Sequence, residues 1–157
     1  MRNQALLWVL AQTGIRTSEI CGLRLCDVDR ERGRLSVRGK ESRRRWVPLG
    51  QESLRHLLLY LDRSRLETAA GVKRRRGGQD ALFVSETGRP LTENALALLF
   101  GRLRKRAEIR RKDVNPTLLC ESFAVRYLQA GGDVFTLREL LGQEESAVVK
   151  RYLRMSK

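Results

Sequence analysis

The feature that most constrains the fold is one stretch, Thr13 to Leu49, in which a helix end, a turn, a short helix and a basic hairpin follow each other. An apolar helical pattern begins at about Asn3 and should stop at Gly14, because glycine adopts the left-handed cap conformation without a Cβ penalty. Arg16 follows this helix end almost directly. The sequence therefore predicts an arginine in the turn between two helices.

A second, short helix is expected directly after Arg16. Thr17 and Ser18 have hydroxyl oxygens that can accept hydrogen bonds from the free N–H groups of its first turn. Glu19 also lies in that first turn, where a carboxylate interacts favourably with the helix dipole. The same helix terminus is thus expected to carry an arginine and a carboxylate.

Two short strands are predicted after this helix. Leu35 and Val37 alternate with polar residues, as in a half-buried strand, and the second strand ends at residues 47–49. The residues between the two strands, 39–43, are expected to form a hairpin loop that carries Lys40.

Helical periodicity dominates the rest of the chain. The predicted helices cover residues 51–67, 92–109, 116–130, 134–141 and 145–154, and a short strand is predicted over residues 81–85. The first of these helices is expected to pack on the hairpin. A length of 157 residues fits a single domain spanning 1–157. The predicted fold class is α+β and mostly α, with a small antiparallel sheet.

Positive charge points to a polyanionic partner. The formal net charge is +14, which is large for a chain of this length. The basic residues cluster at 43–45, 73–76, 102–106 and 110–112 instead of being spread evenly. Nucleic acid is the simplest partner for such a pattern, although charge that serves only solubility would look similar.

The three cysteines and the hydropathy exclude several other classes. Cys21, Cys26 and Cys120 are odd in number and lack CxxC spacing, so neither a disulfide framework nor a zinc site is expected. No apolar run approaches the roughly 20 residues that a membrane-spanning helix needs. The chain begins with an amphipathic pattern instead of a signal peptide, so a cytoplasmic location without membrane contact is expected.

The Thr13–Leu49 stretch resembles the first half of the catalytic domain of the tyrosine recombinases, the phage-integrase family. Members carry a T-G-[LI]-R-x-S-E turn that presents a first catalytic arginine, and a G-K loop between two strands that presents a catalytic lysine. The resemblance implies that Arg16 and Lys40 are these residues and that Glu19 is a buried acid supporting the arginine. It also implies the fold of that catalytic domain.

The second half resembles the same family but departs from it at the reactive positions. Typical members read P-H-x-L-R-H-T-F-A at the start of a helix, whereas this chain reads P-T-L-L-C-E-S-F-A over residues 116–124. Thr117 stands in place of a histidine, Cys120 in place of the second catalytic arginine, and Glu121 in the next position. Farther on, the family's L-L-G-H becomes L-L-G-Q, with Gln143 in place of the last histidine.

Tyr152 stands at the expected separation from Gly142 and is the candidate nucleophile. In the family a tyrosine oxygen attacks a DNA phosphodiester and forms a 3′-phosphotyrosine link, without a metal or a nucleotide cofactor. Fixed hydrogen-bond donors must stabilise the charge on the phosphoryl oxygens. Cys120 cannot supply the bidentate, charge-assisted hydrogen bonds of an arginine. The sole histidine, His56, lies on a different predicted helix. We therefore expect very slow cleavage or none.

Basic side chains are the candidate contacts to DNA phosphates, since a planar guanidinium or an ammonium group pairs well with phosphate oxygens. A basic face that is merely solvated would share this composition. The candidate residues are Arg43, Arg44, Arg45, Lys73, Arg74, Arg75, Arg102, Lys105 and Arg106.

Three functional hypotheses follow. The first is an enzyme of site-specific DNA recombination with an unusual active site, and the second is a DNA-binding derivative that has lost most of the chemistry. The third is a truncated remnant, because the family's amino-terminal core-binding domain is expected to be absent from this chain. The expected partner is double-stranded DNA, with assembly into a homo-oligomer on DNA and no small-molecule substrate.

Overall fold

The computed structural model describes residues 1–39, 43–65, 80–111, 114–142, 152, 154 and 155. Helices dominate it, and they surround a three-stranded antiparallel sheet, so the predicted fold class is confirmed. The helices are α1 (Arg2–Thr13), α2 (Thr17–Gly22), α3 (Gln51–Leu59), α4 (Glu93–Arg106), α5 (Pro116–Gln129) and α6 (Val134–Leu141). The strands are β1 (Val28–Asp29), β2 (Arg34–Arg38) and β3 (Arg44–Pro48).

Helix α1 ends as its glycine predicts. Gly14 adopts a left-handed conformation, with φ of 64°, and its N–H donates to the carbonyl oxygen of Leu10. The predicted capping of α2 by Thr17 and Ser18 is wrong, because Thr17 is already the first helical residue. Arg16 is the N-cap, and the Glu19 carboxylate accepts a 2.8 Å hydrogen bond from the Arg16 backbone N–H.

The sheet has the order β1-β2-β3, and both pairings are antiparallel. The sequence reading missed β1, a strand of only two residues in a polar stretch. It also predicted polar exposure on one face of β2, whereas Ser36 is buried like Leu35 and Val37. The Arg44 guanidinium covers Ser36 and donates to its hydroxyl oxygen over 3.3 Å. The predicted hairpin is confirmed at its base, where the N–H of Gly39 donates to the carbonyl oxygen of Arg43.

Helix α1 lies at the centre of the main core. Its residues Ala5, Leu6, Val9 and Leu10 are completely buried. Helix α3 packs mainly on α1, whereas the sequence had predicted packing on the hairpin. The regular part of α3 ends at Leu59, and a π-helical turn continues over Tyr60–Arg65.

The predicted strand at residues 81–85 is also wrong. This segment makes only isolated bridges, Arg24 with Ala81 and Val84 with Pro90. Its apolar side chains Leu82, Phe83 and Val84 are nevertheless buried. An apolar run of β-type residues therefore fills the core here without joining the sheet.

Helices α5 and α6 begin and end where their capping residues predict. The Asn115 side chain accepts from the N–H of Leu118, and Asp133 accepts from the N–H groups of Phe135 and Thr136. Gly142 ends α6 in a left-handed conformation with φ of 58°. A second apolar cluster lies beside these helices and contains Cys120, Ala124, Leu137, Leu141 and Tyr152. Most of the helix predicted over residues 145–154 lies outside the described residues.

Within the described ranges, no helix combines the length and the apolar character needed to cross a membrane.

Candidate active site

Arg16 lies where the end of α1, the start of α2 and the end of α6 meet. Its side chain is 33% exposed, so the guanidinium reaches solvent while remaining in contact with the protein. Nη2 donates over 3.4 Å to the carbonyl oxygen of Gly142, and Nη1 lies 3.9 Å from Oε1 of Glu19. The guanidinium is therefore oriented by a main-chain acceptor on one side and a carboxylate on the other.

Glu19 is the buried acid of this site, with a side chain only 5% exposed. Both of its oxygens also accept from the guanidinium of Arg45, Oε1 from Nη1 over 2.7 Å and Oε2 from Nη2 over 2.9 Å. The third donor of Arg45, Nε, reaches the carbonyl oxygen of Leu140 over 2.7 Å. Such a bidentate pair is stronger and more directional than a single-point contact.

Arg45 was predicted to bind DNA together with its neighbours Arg43 and Arg44. The structure instead turns Arg45 inwards, with only 14% of its side chain exposed. Arg43 and Arg44 are exposed, and Arg44 pairs with Asp27 over 3.4 Å. The sequence could have predicted this difference, because side chains alternate between the two faces of a strand. Arg45 therefore shares its face with the buried Val47.

Cys120 occupies the interior side of α5 and is 8% exposed. Its thiol donates a 2.7 Å hydrogen bond to the carbonyl oxygen of Gly14. The pKa of the Cys120 thiol is raised to about 11, mainly by burial. The positive charges of Arg16 and Arg45 lower this pKa, whereas the carboxylates of Glu19 and Glu121 raise it. The thiol is therefore neutral near pH 7.

The other positions on α5 differ in their exposure. Thr117 is exposed in the first turn, and Glu121 is partly buried beside Cys120. Arg126, farther along the same helix, is exposed and donates to the carbonyl oxygen of Ser122. The guanidinium of Arg126 is thus directed along its own helix.

Tyr152 is 5% exposed and packs in the same apolar cluster as Cys120. The candidate nucleophile and Cys120 therefore lie in the same neighbourhood. His56 lies elsewhere, stacked on Trp8 of α1 with 5.8 Å between ring centroids. Several predicted site residues lie outside the described residues: Lys40, Lys73, Arg74, Arg75 and Gln143.

The basic face predicted on α4 is present. Arg102, Lys105 and Arg106 are all exposed on this helix, while Leu96 and Phe100 on its other side are buried. Among the described residues, no group of three or more His, Cys, Asp or Glu side chains is arranged to hold a metal ion.

Sequence reasoning missed an exposed aromatic residue on the sheet. Trp46 of β3 is 50% exposed, and the Arg34 guanidinium stacks on its ring at 4.0 Å from the centroid. Arg34 also pairs with Asp29 over 2.9 Å. The exposure of Trp46 could have been predicted from the alternation of side chains along β3. This alternation places Trp46 on the face opposite to Arg45 and Val47.

The decisive comparison is with protein families, because the model of the phage integrase family matches residues 1–157, the whole chain. The chain belongs to the phage integrase family. It is 34% identical over 156 residues to the tyrosine recombinase XerC of Bacillus pumilus (strain SAFR-032), which covers 99% of this chain and 50% of that relative. It is 31% identical over 157 residues to the tyrosine recombinase XerD of Halalkalibacterium halodurans, covering 100% of this chain and 50% of that relative. This integrase-family chain thus spans about half the length of these curated relatives.

Solved structures agree with the family assignment. The crystal structure of XerA recombinase superposes with a TM-score of 0.84 at 32% identity, covering 96% of this chain and 52% of that one. The XerH site-specific recombinase bound to a palindromic difH substrate superposes with a TM-score of 0.80 at 27% identity, covering 99% of this chain and 43% of that one. The predicted family is therefore confirmed, and so is the tyrosine-recombinase fold.

Proposed function

We propose that this integrase-family domain binds double-stranded DNA and belongs to a site-specific recombination protein whose strand cleavage is strongly impaired. The reaction would proceed through a 3′-phosphotyrosine on Tyr152, with Arg16 and Lys40 as the remaining catalytic residues. The observation that carries the proposal is the buried, neutral Cys120 in place of the family's second arginine.

Binding to DNA is supported by charge and by exposure. The net charge is +14, and α4 presents Arg102, Lys105 and Arg106 to solvent. Exposed cations that neutralise phosphates release condensed counterions, so the affinity should be sequence-independent in large part and should fall with salt. The related XerH was solved on a difH substrate, which agrees with a DNA-binding surface on this fold. Assembly of several copies on one duplex is part of the proposal and can be measured by sedimentation with DNA.

Impaired chemistry follows from the electrostatics of phosphoryl transfer. A transferring phosphoryl group develops charge on its equatorial oxygens, and preorganised cations stabilise that charge. The Arg16 guanidinium is oriented for this role by the carboxylate of Glu19 and the carbonyl oxygen of Gly142. The Cys120 thiol is uncharged, and its proton is already committed to the carbonyl oxygen of Gly14.

The size of the loss can be bounded from other enzymes. Removing one preorganised donor typically costs about 10²–10³ in rate, and losing an arginine that stabilises phosphoryl transfer costs about 10³–10⁵. Losing a general acid-base histidine costs roughly another 10²–10⁴, although effects within one site do not add. Thr117 and Gln143 cannot replace the histidines, and the Glu121 carboxylate would repel a nearby phosphate.

The alternative is a DNA-binding derivative with no chemistry at all. It is favoured by the burial of Tyr152, which is 5% exposed and packs in the apolar cluster with Cys120. The two proposals share the DNA-binding surface and differ only in whether a covalent intermediate ever forms.

Covalent trapping separates them. The protein is incubated with nicked duplexes of mixed sequence, and a denaturing gel is examined for a protein–DNA adduct, with Tyr152→Phe beside it. A weak adduct that disappears in Tyr152→Phe supports an impaired enzyme, and salt-sensitive binding without an adduct supports the derivative. Trapping as efficient as that of a recombinase with both arginines would contradict the proposed impairment, and absence of DNA binding would overturn both proposals.

A further inference from the structure

We propose that Arg45 is a positioning residue for Arg16 and does not contact DNA itself. The proposal rests on the proposed function only in giving Arg16 the task of binding a phosphate. It concerns a side chain that the charge pattern of the sequence had grouped with the exposed arginines of the hairpin.

The first link runs through Glu19. The Arg45 guanidinium donates to both carboxylate oxygens of Glu19, and Oε2 also accepts from the backbone N–H of Arg16. Glu19 is 5% exposed, so without Arg45 its charge would be buried with no full charge-assisted partner. The carboxylate would then turn towards water, away from the backbone N–H of Arg16 and from the Arg16 guanidinium, which now lies 3.9 Å away.

The second link runs through the end of α6. Nε of Arg45 donates to the carbonyl oxygen of Leu140, and the carbonyl oxygen of Gly142 accepts from Nη2 of Arg16. Gly142 itself packs against the Arg45 guanidinium, since a Cβ added there would lie 2.8 Å from Nη1. Arg45 therefore holds both groups that orient Arg16, the carboxylate of Glu19 and the main chain at Gly142.

The same contacts make a direct contact between Arg45 and DNA unfavourable. Its two Nη atoms and its Nε all donate to protein acceptors at 2.7–2.9 Å, and its side chain is 14% exposed. A phosphate contact would require breaking this buried pair, whereas Arg44 on the same strand is 55% exposed and already faces solvent.

The first test needs no DNA. In protein labelled with ¹⁵N-arginine, the Nε–Hε signal of Arg16, assigned by its loss in Arg16→Lys, reports the order of that guanidinium. In Arg45→Gln and Arg45→Lys we expect this signal to move towards that of a freely rotating arginine. Arg55→Gln is the matched control, because it removes an arginine from an exposed carboxylate pair, that with Glu52, and should leave the Arg16 signal unchanged.

An Arg16 signal that is unchanged in folded Arg45 variants would overturn the proposal. Circular dichroism establishes whether the variants fold. If neither variant folds, Arg45→Met, which keeps most of the length of the aliphatic chain, carries the same test. Loss of the fold in all three variants would mean that the pair is purely structural, which also overturns the proposal.

The second test measures coupling in DNA binding. Arg16→Ala and Arg45→Gln should each weaken binding to a mixed-sequence duplex by about tenfold, and the double variant should lose little more than either single one. A direct DNA contact by Arg45 would instead make the losses multiply to about a hundredfold. If the unsubstituted protein binds no DNA, the proposed function fails, and the Nε–Hε signal still decides the positioning of Arg16.

Discussion

The Cys120 thiol donates a 2.7 Å hydrogen bond to the carbonyl oxygen of Gly14, the residue that ends α1. The two residues are 106 positions apart in the chain, and their contact joins α5 to the turn that carries Arg16. Burial keeps the thiol protonated by raising the pKa of Cys120 to about 11. Cys120, which we propose to stand where the family has its second arginine, is thus a neutral contact between α5 and the end of α1.

Restoring the missing groups should restore cleavage. In the double variant Thr117→His, Cys120→Arg, we expect covalent adduct formation on nicked duplex DNA to rise at least about a hundredfold, since a fixed cation and a proton donor return to the phosphate. Tyr152→Phe in the same background must abolish the adduct. If the double variant folds and gains nothing, Tyr152 or the backbone is also displaced.

The cysteines should differ sharply in reactivity. Cys26 is exposed, whereas burial raises the pKa values of the Cys21 and Cys120 thiols to about 11, with a further contribution from Glu93 at Cys21. A rise from 9.0 to about 11 lowers the thiolate fraction near neutral pH about a hundredfold. Alkylation with iodoacetamide at pH 8, followed by peptide mass spectrometry, should modify Cys26 first. Equal rates at the three sites in the folded protein would contradict the partial burial of Cys21 and the burial of Cys120.

Alkaline pH should destabilise the protein through Cys120. Its pKa is raised in the folded state, so between pH 9.0 and about 11 the unfolded chain loses the thiol proton while the folded chain keeps it. The free energy of unfolding should therefore fall across this window, with a contribution from Cys120 of up to about 2.7 kcal/mol. Urea denaturation at several pH values measures the fall. Cys120→Ala lacks this contribution and should show a shallower decline, and a parallel decline in the two proteins would count against the raised pKa.

The basic face of α4 should set much of the salt dependence of DNA binding. Replacing Arg102, Lys105 and Arg106 by glutamine should reduce the slope of log affinity against log salt by up to about three, because each lost phosphate contact releases one counterion fewer. Fluorescence anisotropy with a labelled duplex at several salt concentrations gives the slope.

A matched charge control accompanies this triple variant. Glutamine at the exposed residues Arg30, Arg55 and Arg63 lowers the net charge equally but leaves α4 intact. We expect its slope to stay close to that of the unsubstituted protein. Equal changes in both triple variants would show that total charge, and not the α4 face, governs binding.

Gly142 should tolerate substitution less well than Gly131. Both have positive φ, 58° and 85°, but a Cβ at Gly131 meets open space, whereas a Cβ at Gly142 would lie 2.8 Å from Nη1 of Arg45. Gly131→Ala should cost about 1 kcal/mol for the left-handed backbone alone, and Gly142→Ala should cost more because the buried guanidinium must also move. Chemical denaturation compares the two. A larger loss of stability in Gly131→Ala than in Gly142→Ala would contradict the packing of Gly142 on Arg45.

Much of the local structure was predictable because it depends on neighbouring residues. Gly14 and Gly142 end helices by adopting positive φ, and Asn115 and Asp133 begin them by accepting from nearby N–H groups. The order of such elements, together with the motif around Arg16, also identified the family and its fold. The same local reasoning failed at residues 81–85, where burial, and not strand pairing, explains the apolar pattern.

The sequence by itself determined the family, and it supplied the candidate residues for the proposed chemistry: Arg16 and Tyr152 as retained groups, and Cys120 where the family carries a second arginine. Only the tertiary structure decided which of the three adjacent arginines is buried. Arg45 pairs with the buried carboxylate of Glu19, whereas Arg44 stays exposed to solvent. The tertiary structure also decided that the thiol of Cys120 would bond to Gly14. The physical reason is that a buried charge or thiol takes its partner from whatever the packing brings within about 3 Å, and these partners lie 26 and 106 residues away along the chain.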